Sequence, residues 1–198
     1  MAALTSTGSG GYNTAANWNP AQVPGPNDNP YIQGAHTMTL DEHGFGGRLS
    51  IDGTLQLVGP GWLTLVDGLT VAGGGEFDGG TDGTLELRPT GNFILNPAGT
   101  FAVPYLRANG GRVFLQDATA IGSLAVFRNV DLRKLMGGSL VLNGRGVMIG
   151  GMATGIDASG GNPLRAYGTK DGGGNSNVVF QLRRRSRAVR LFDRRATL

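Results

Sequence analysis

Apolar residues recur two apart along most of this chain, and glycine-rich turns separate the pairs. The pairs are Leu49/Ile51, Leu55/Leu57, Leu63/Leu65, Leu69/Val71, Leu85/Leu87, Phe93/Leu95, Phe101/Val103, Val113/Leu115, Leu124/Val126, Val130/Leu132, Leu140/Leu142 and Val147/Ile149. A period of two buries one face of a short strand. Between the pairs stand DG, GPG, GGG, GGTDG, PTG, PAG and NGG, whose glycines reach the positive φ angles that tight turns require. Glycine supplies 36 of 198 residues without a Gly-X-Y period, which excludes collagen and points to a turn-rich all-β protein. The nearest approach to a helical pattern, RNVDLRKLM at 128–136, is short.

Related phrases return along the chain. DGTLQL at 52–57 reappears as DGTLEL at 82–87, and GGRVFLQ at 110–116 as GGSLVLN at 137–143. Anchored on Leu55, Leu85, Val113 and Leu140, the phrases recur every roughly 27–30 residues, an interval in the range of solenoid repeats. A repeat of this size predicts a right-handed parallel β-helix, a β-solenoid of about four to five coils and roughly 20–25 Å tall at ~4.8 Å per coil. A β-sandwich with regular hairpins is the alternative, since it also places strands every ~8–12 residues. The interval between related phrases is repeat-sized rather than hairpin-sized, which favours the solenoid. The expected organisation is an N-terminal arm at 1–17, a capping segment at 18–47, the solenoid body at 48–167, and a glycine loop with an Arg-rich docking arm at 168–198. Prolines in the capping segment remove backbone donors and discourage further pairing at an exposed sheet edge.

Within that segment, Trp18 followed by VPGPNDNPYIQGAHTMTLD (23–41) resembles an N-terminal motif of β-helical proteins found among bacterial surface solenoids and phage virion proteins. The matching positions are Trp18, Val23, Pro24, Gly25, Asp28, Ile32, Gly34, His36, Thr37, Thr39, Leu40 and Asp41. NDNPY departs from the pattern, because a proline interrupts a run usually written Gly-Asp and then a β-branched residue. The resemblance is confined to this segment, a small part of the chain. It implies a right-handed parallel β-helix with structural or adhesive roles, core positions for Trp18, Ile32 and Leu40, and a structural His36.

Charge divides the chain unevenly. Residues 183–198 carry seven arginines and one aspartate, a net +6, against −3 for the rest. Arginine outnumbers lysine fifteen to two, and its planar fork suits bidentate docking on carboxylate or phosphate. Val189, Leu191 and Phe192 interleave with Arg183, Arg184, Arg185, Arg187, Arg190, Arg194 and Arg195, which argues against a merely solvated tail. These ten residues are the expected partner-binding set, with acidic surface on a protein partner as the target. Nucleic acid is a weaker expectation.

Catalytic and metal sets find little support. His36 and His43 are seven residues apart with Asp41 and Glu42 between them, a spacing that matches no zinc pattern. Glu76, Asp78 and Asp82 in GEFDGGTDG offer clustered carboxylates, but aspartate before glycine is ordinary turn chemistry. There is no cysteine, no Gly-x-Ser-x-Gly elbow and no phosphate-loop order in GTKDGGGNS (168–176), which reads as a flexible loop. The expectation is no enzyme activity, no catalytic residue, no metal and no cofactor.

MAALTSTGSGG lacks the basic-then-apolar order of a signal peptide, and no apolar run approaches the ~20 residues of a membrane span. Together with the resemblance, these features lead to the expectation of a structural protein on the surface of a phage particle. It would be made in the host cytoplasm and be a homo-oligomer, by analogy a trimer. It would dock on the major capsid protein or another virion protein as a decoration (cement) protein. A tail or fibre component and a carbohydrate-binding or polysaccharide-cleaving module are the alternatives.

Overall fold

The computed structural model of the protein describes residues 1–135 and 137–181. It is a parallel β-solenoid of about seven turns, each winding through three faces. The first face stacks residues 43–46, 62–65, Thr84–Leu87, 105–109, 124–128, Arg145–Ile149, Leu164–Tyr167 and Val178–Gln181. The second runs from Ala3–Ser6 through Asn29–Ile32, 48–51, 68–71, Asn92–Pro97, Arg112–Leu115, Asp131–Lys134 and Met152–Thr154 to Lys170–Asp171. The third holds Gly10–Gly11, Thr37–Leu40, Thr54–Leu57, Glu76–Asp78, 100–103, 118–121 and Ser139–Leu142. Long strands such as Trp62–Val71 and Thr100–Asn109 bend across a corner and serve two faces.

The coils are shorter and more numerous than the phrase repeat predicts. Along the first face, Gly44, Leu63, Leu85, Leu106, Ala125, Gly146 and Leu164 stand in register. Each coil therefore takes about 20 residues, at the short end of solenoid repeats. The expected four to five longer coils are corrected to about seven. DGTLQL and DGTLEL lie on different faces: Thr54–Leu57 stacks on Thr37–Leu40, whereas Thr84–Leu87 stacks on residues 62–65. GGRVFLQ and GGSLVLN likewise belong to the second and third faces. A glycine turn followed by a strand recurs on all three faces, so the interval between such phrases spans one coil plus one further face.

The core is a stack of inward side chains. Leu63, Leu85 and Leu106 form one column, Leu65 and Leu87 a second, and Leu55, Phe77 and Phe101 a third, where the two rings stand 5.5 Å apart. Each fully buried Leu or Phe contributes roughly 1.5–3 kcal/mol. Glycine is needed where coils touch most closely. Gly53, Gly75 and Gly99 each precede a third-face strand, and a Cβ on any of them would collide with a carbonyl of the preceding coil.

Two of the apolar pairs point the other way. Ala125 and Phe127, rather than Leu124 and Val126, face the core, and Gly146 and Met148 take the place of Val147 and Ile149. Both stretches are apolar in both phases, so alternation cannot choose between them.

The two ends differ. At the N-terminal end Trp18–Asn19 pairs antiparallel with Ala3–Ser6, departing from the parallel stack. Trp18 is buried, its Nε1 donates to the Tyr12 carbonyl at 2.8 Å, and the two rings meet edge-on at 5.2 Å. The arm expected at 1–17 therefore supplies the sealing layer, with Leu4 and Tyr12 fully buried. Asp28 fastens this layer: its carboxylate accepts from Ala2 N at 2.9 Å and from Gly25 N at 3.0 Å. These backbone donors, that of Ala2 foremost, hold its pKa below the ordinary carboxylate value.

At the C-terminal end, residues 168–176 are not the flexible loop expected from their glycines. Lys170–Asp171 pairs with the Met152–Thr154 strand, Gly172 N donates to Ala153 O at 2.8 Å, and Ser176 N donates to Ile156 O at 2.7 Å. Val178–Gln181 is then the last described rung of the first face.

Candidate functional site

The expected partner-binding residues Arg183, Arg184, Arg185, Arg187, Val189, Arg190, Leu191, Phe192, Arg194 and Arg195 all lie outside the described residues. The strand they follow, Val178–Gln181, is the last described rung of the first face.

Both histidines have structural partners. His36 Nδ1 lies 2.7 Å from Ser6 Oγ, which also accepts from Gln33 N at 3.0 Å. Donation by the Ser6 hydroxyl to Nδ1 uses every group in this cluster. His43 stands on another face, with Nε2 2.8 Å from Thr64 Oγ1. Among the described residues no three His, Asp or Glu side chains converge on a metal-sized space. Asp78 accepts from Gly80 N at 2.8 Å and from Gln56 Nε2 at 3.3 Å, while Asp82 accepts from Thr81 Oγ1 at 3.1 Å. Both thus make turn contacts, and Asp78 also accepts from its neighbour on the adjacent rung.

The exterior of the first face carries the most differentiated chemistry, and it has two parts. Over the early coils it is a polar and aromatic network, in which the buried Trp62 Nε1 has no hydrogen-bond partner among the described residues. Thr64 Oγ1 donates to Glu86 Oε2 at 3.0 Å, so its one hydrogen is used and it accepts from His43 Nε2. Arg88 Nε donates to the same Glu86 oxygen at 2.9 Å. The Arg107 guanidinium sits 4.9 Å from the Trp62 ring centre, and His43 packs tilted against both Phe45 and Trp62.

Over the later coils the outward positions turn apolar and then basic. Leu124, Val126 and Ile149 are half-buried and Val147 is 6% exposed, all on the outer side of their strands. Beside them lies a cleft of about 550 Å3 lined by Gly144, Arg145, Val147, Pro163, Arg165 and Tyr167, with Asn162 at its rim. Strand register sets the guanidiniums. Val147 pairs with Arg165, and Arg145 precedes Val147 by two, so both arginines point outward from adjacent rungs. Arg145 and Arg165 are exposed, and no carboxylate among the described residues lies within ion-pair distance of either. By contrast Arg112 and Arg133 both bind Asp131, each through Nε at 3.0 Å. Burial raises the Asp131 pKa, but the bonds from Arg133 and Arg112 outweigh it and leave the value below normal.

Sequence reading missed this cleft. The available signal was the doubled apolar phase of SLAVF and GVMIG: a strand apolar on both sides has either two cores or a core and a contact surface.

By fold the chain is a parallel β-solenoid protein. Comparison with protein-family models, with curated proteins and with solved structures returned no match to it.

Proposed function

We propose that this chain is a non-enzymatic structural protein of a phage or virus-like particle, a capsid decoration (cement) protein that docks through its C-terminal end. The observation that carries the reading is the inequality of the two ends. One is sealed by the Trp18–Asn19 layer, while at the other Val178–Gln181 is the last described rung and the chain runs directly on into the segment with seven arginines. An edge strand offers unpaired backbone groups to a partner, and the adjacent guanidiniums would select an acidic one. The partner is then the major capsid protein or another virion protein, with the rigid stack projecting from the particle surface as a homo-oligomer, a trimer by analogy.

The test is reconstitution on purified particles stripped of the protein, with the full chain against a chain ending at Gln181. The full chain should cosediment at saturating occupancy and raise the particles' resistance to heat. The shortened chain should keep its β-sheet circular dichroism and fail to cosediment. Equal occupancy by both would remove the docking role, and labelling confined to the tail would move the protein to the fibre. Light scattering of the free chain reads the oligomeric state.

A further inference from the structure

We propose that the cleft of Arg145, Asn162, Pro163, Arg165 and Tyr167, with the apolar strip of Val126, Val147 and Ile149 beside it, binds an extended acidic peptide segment of a protein partner. This rests on the docking reading above, but it needs only residues of the solenoid body.

Three observations select that occupant. The first is charge. Arg145 and Arg165 are unpaired among the described residues, in a body where Arg88, Arg112 and Arg133 all have carboxylate partners. Two guanidinium forks in one cleft fit carboxylates, each able to accept two parallel hydrogen bonds. The chain's own C-terminal segment is a poor occupant, since it would bring seven more arginines to a site that already holds two.

The second is spacing. Arg145 and Arg165 are offset by two residues along the strand direction and one rung across, a diagonal of about 8 Å between backbones. An extended peptide presents same-side side chains roughly 6.8 Å apart, so two successive same-side carboxylates reach the two guanidiniums. A single small anion would engage them less completely.

The third is the apolar border. Val147 forms the floor, with Val126 and Ile149 beside it on the same outer surface and Tyr167 at the next outward position after Arg165. Val179 continues this surface onto the last described rung, where it is 43% exposed. Strand-period alternation of acidic and apolar residues in the partner satisfies both parts of the site. Asn162 Nδ2 is committed to Asn143 O at 2.9 Å, which leaves its Oδ1 to accept a peptide N–H.

The test uses the full chain and a fluorescein-labelled octapeptide of alternating Glu and Val, read by anisotropy at low and at physiological salt. The wild-type chain should bind it. The double substitution Arg145→Gln/Arg165→Gln should weaken binding by about tenfold or more, because both charge-assisted contacts are lost. Arg145→Lys/Arg165→Lys should fall between, keeping charge without the fork. Val147→Asp should also weaken binding, while a Lys-Val octapeptide should not bind at all. A full chain with its seven C-terminal arginines changed to glutamine should retain the peptide, which separates this site from the docking arm. Wild-type affinity in the Arg145/Arg165 double variant overturns the proposal. So does loss of binding in the arm-neutralised chain, or preference for a DNA oligonucleotide of equal charge. If the particle assay fails and the peptide result holds, the cleft stands and the particle assignment falls.

Discussion

The outer surface of the first face is two different surfaces on one continuous ladder. Over the early coils, large inward residues (Leu63, Leu85, Leu106) are matched outside by polar groups bound to one another. Over the later coils the inward column passes through Ala125 and Gly146 before returning to Leu164, and the outer positions become apolar and basic. In the early half, outward side chains belong to the folding unit. In the later half Arg145 and Arg165 have no carboxylate partner among the described residues, and apolar surface beside them is surface shaped for something else.

That contrast can be broken most decisively in the core. Leu85→Ala should cost about 2–5 kcal/mol, read from denaturant midpoints, since neighbours above and below cannot close the space. Val126→Ala, outward in the later half, should cost less than about 1 kcal/mol. Equal losses would mean that the outer strip is a second core and not a free surface.

Next in size is Gly151→Ala, expected to cost about 1–3 kcal/mol. Gly151 has φ of +73°, and an added Cβ would strike the Val130 carbonyl at the corner where Met152–Thr154 begins. Gly73, also in a turn but with open space where a Cβ would stand, should accept alanine with little change in midpoint.

A smaller effect compares the two halves directly. Thr64→Val removes the hydroxyl that links His43 to Glu86 and should cost about 1 kcal/mol. Val126→Thr, the reverse exchange at an outward position three coils later, should stay within about 0.5 kcal/mol. A larger loss at Val126 would reverse the assignment of the halves.

The smallest effect is pH dependence. Asp28 and Asp131 both have folded pKa values below normal, so their stabilisation is complete above the unfolded carboxylate value of about 3.9 and is lost as pH falls through the folded values. Midpoints should therefore drop on acidification below about pH 4. Asp28→Asn and Asp131→Asn should each flatten that drop, and an unchanged profile in both would remove these carboxylates as its source.

Much of the fold is legible in the chain. Period-two pairs mark strands, glycine clusters mark corners, and Trp18, Ile32 and Leu40, the core positions that the motif resemblance implies, are buried. The coil length is hidden because corners leading onto different faces carry the same turn chemistry, so Leu55 and Leu85 look equivalent while lying on different faces. Phase is hidden at Leu124–Phe127 and Val147–Ile149 because apolar residues fill both phases there. The cleft is hidden for a related reason: Arg145, Asn162 and Arg165 are brought together by coil register, and no local motif spans them.

The corner at Gly53, Gly75 and Gly99 is a seam of close backbone contact. There, backbone from successive coils is in contact and no side chain fits. At the corner leading into the first face, the chain spends two residues after Leu40, four after Leu57, five after Asp78 and none within Thr100–Asn109. A stack that already tolerates such unequal excursions along one edge has a built-in grafting line, along which new loops can be written without rewinding the coil.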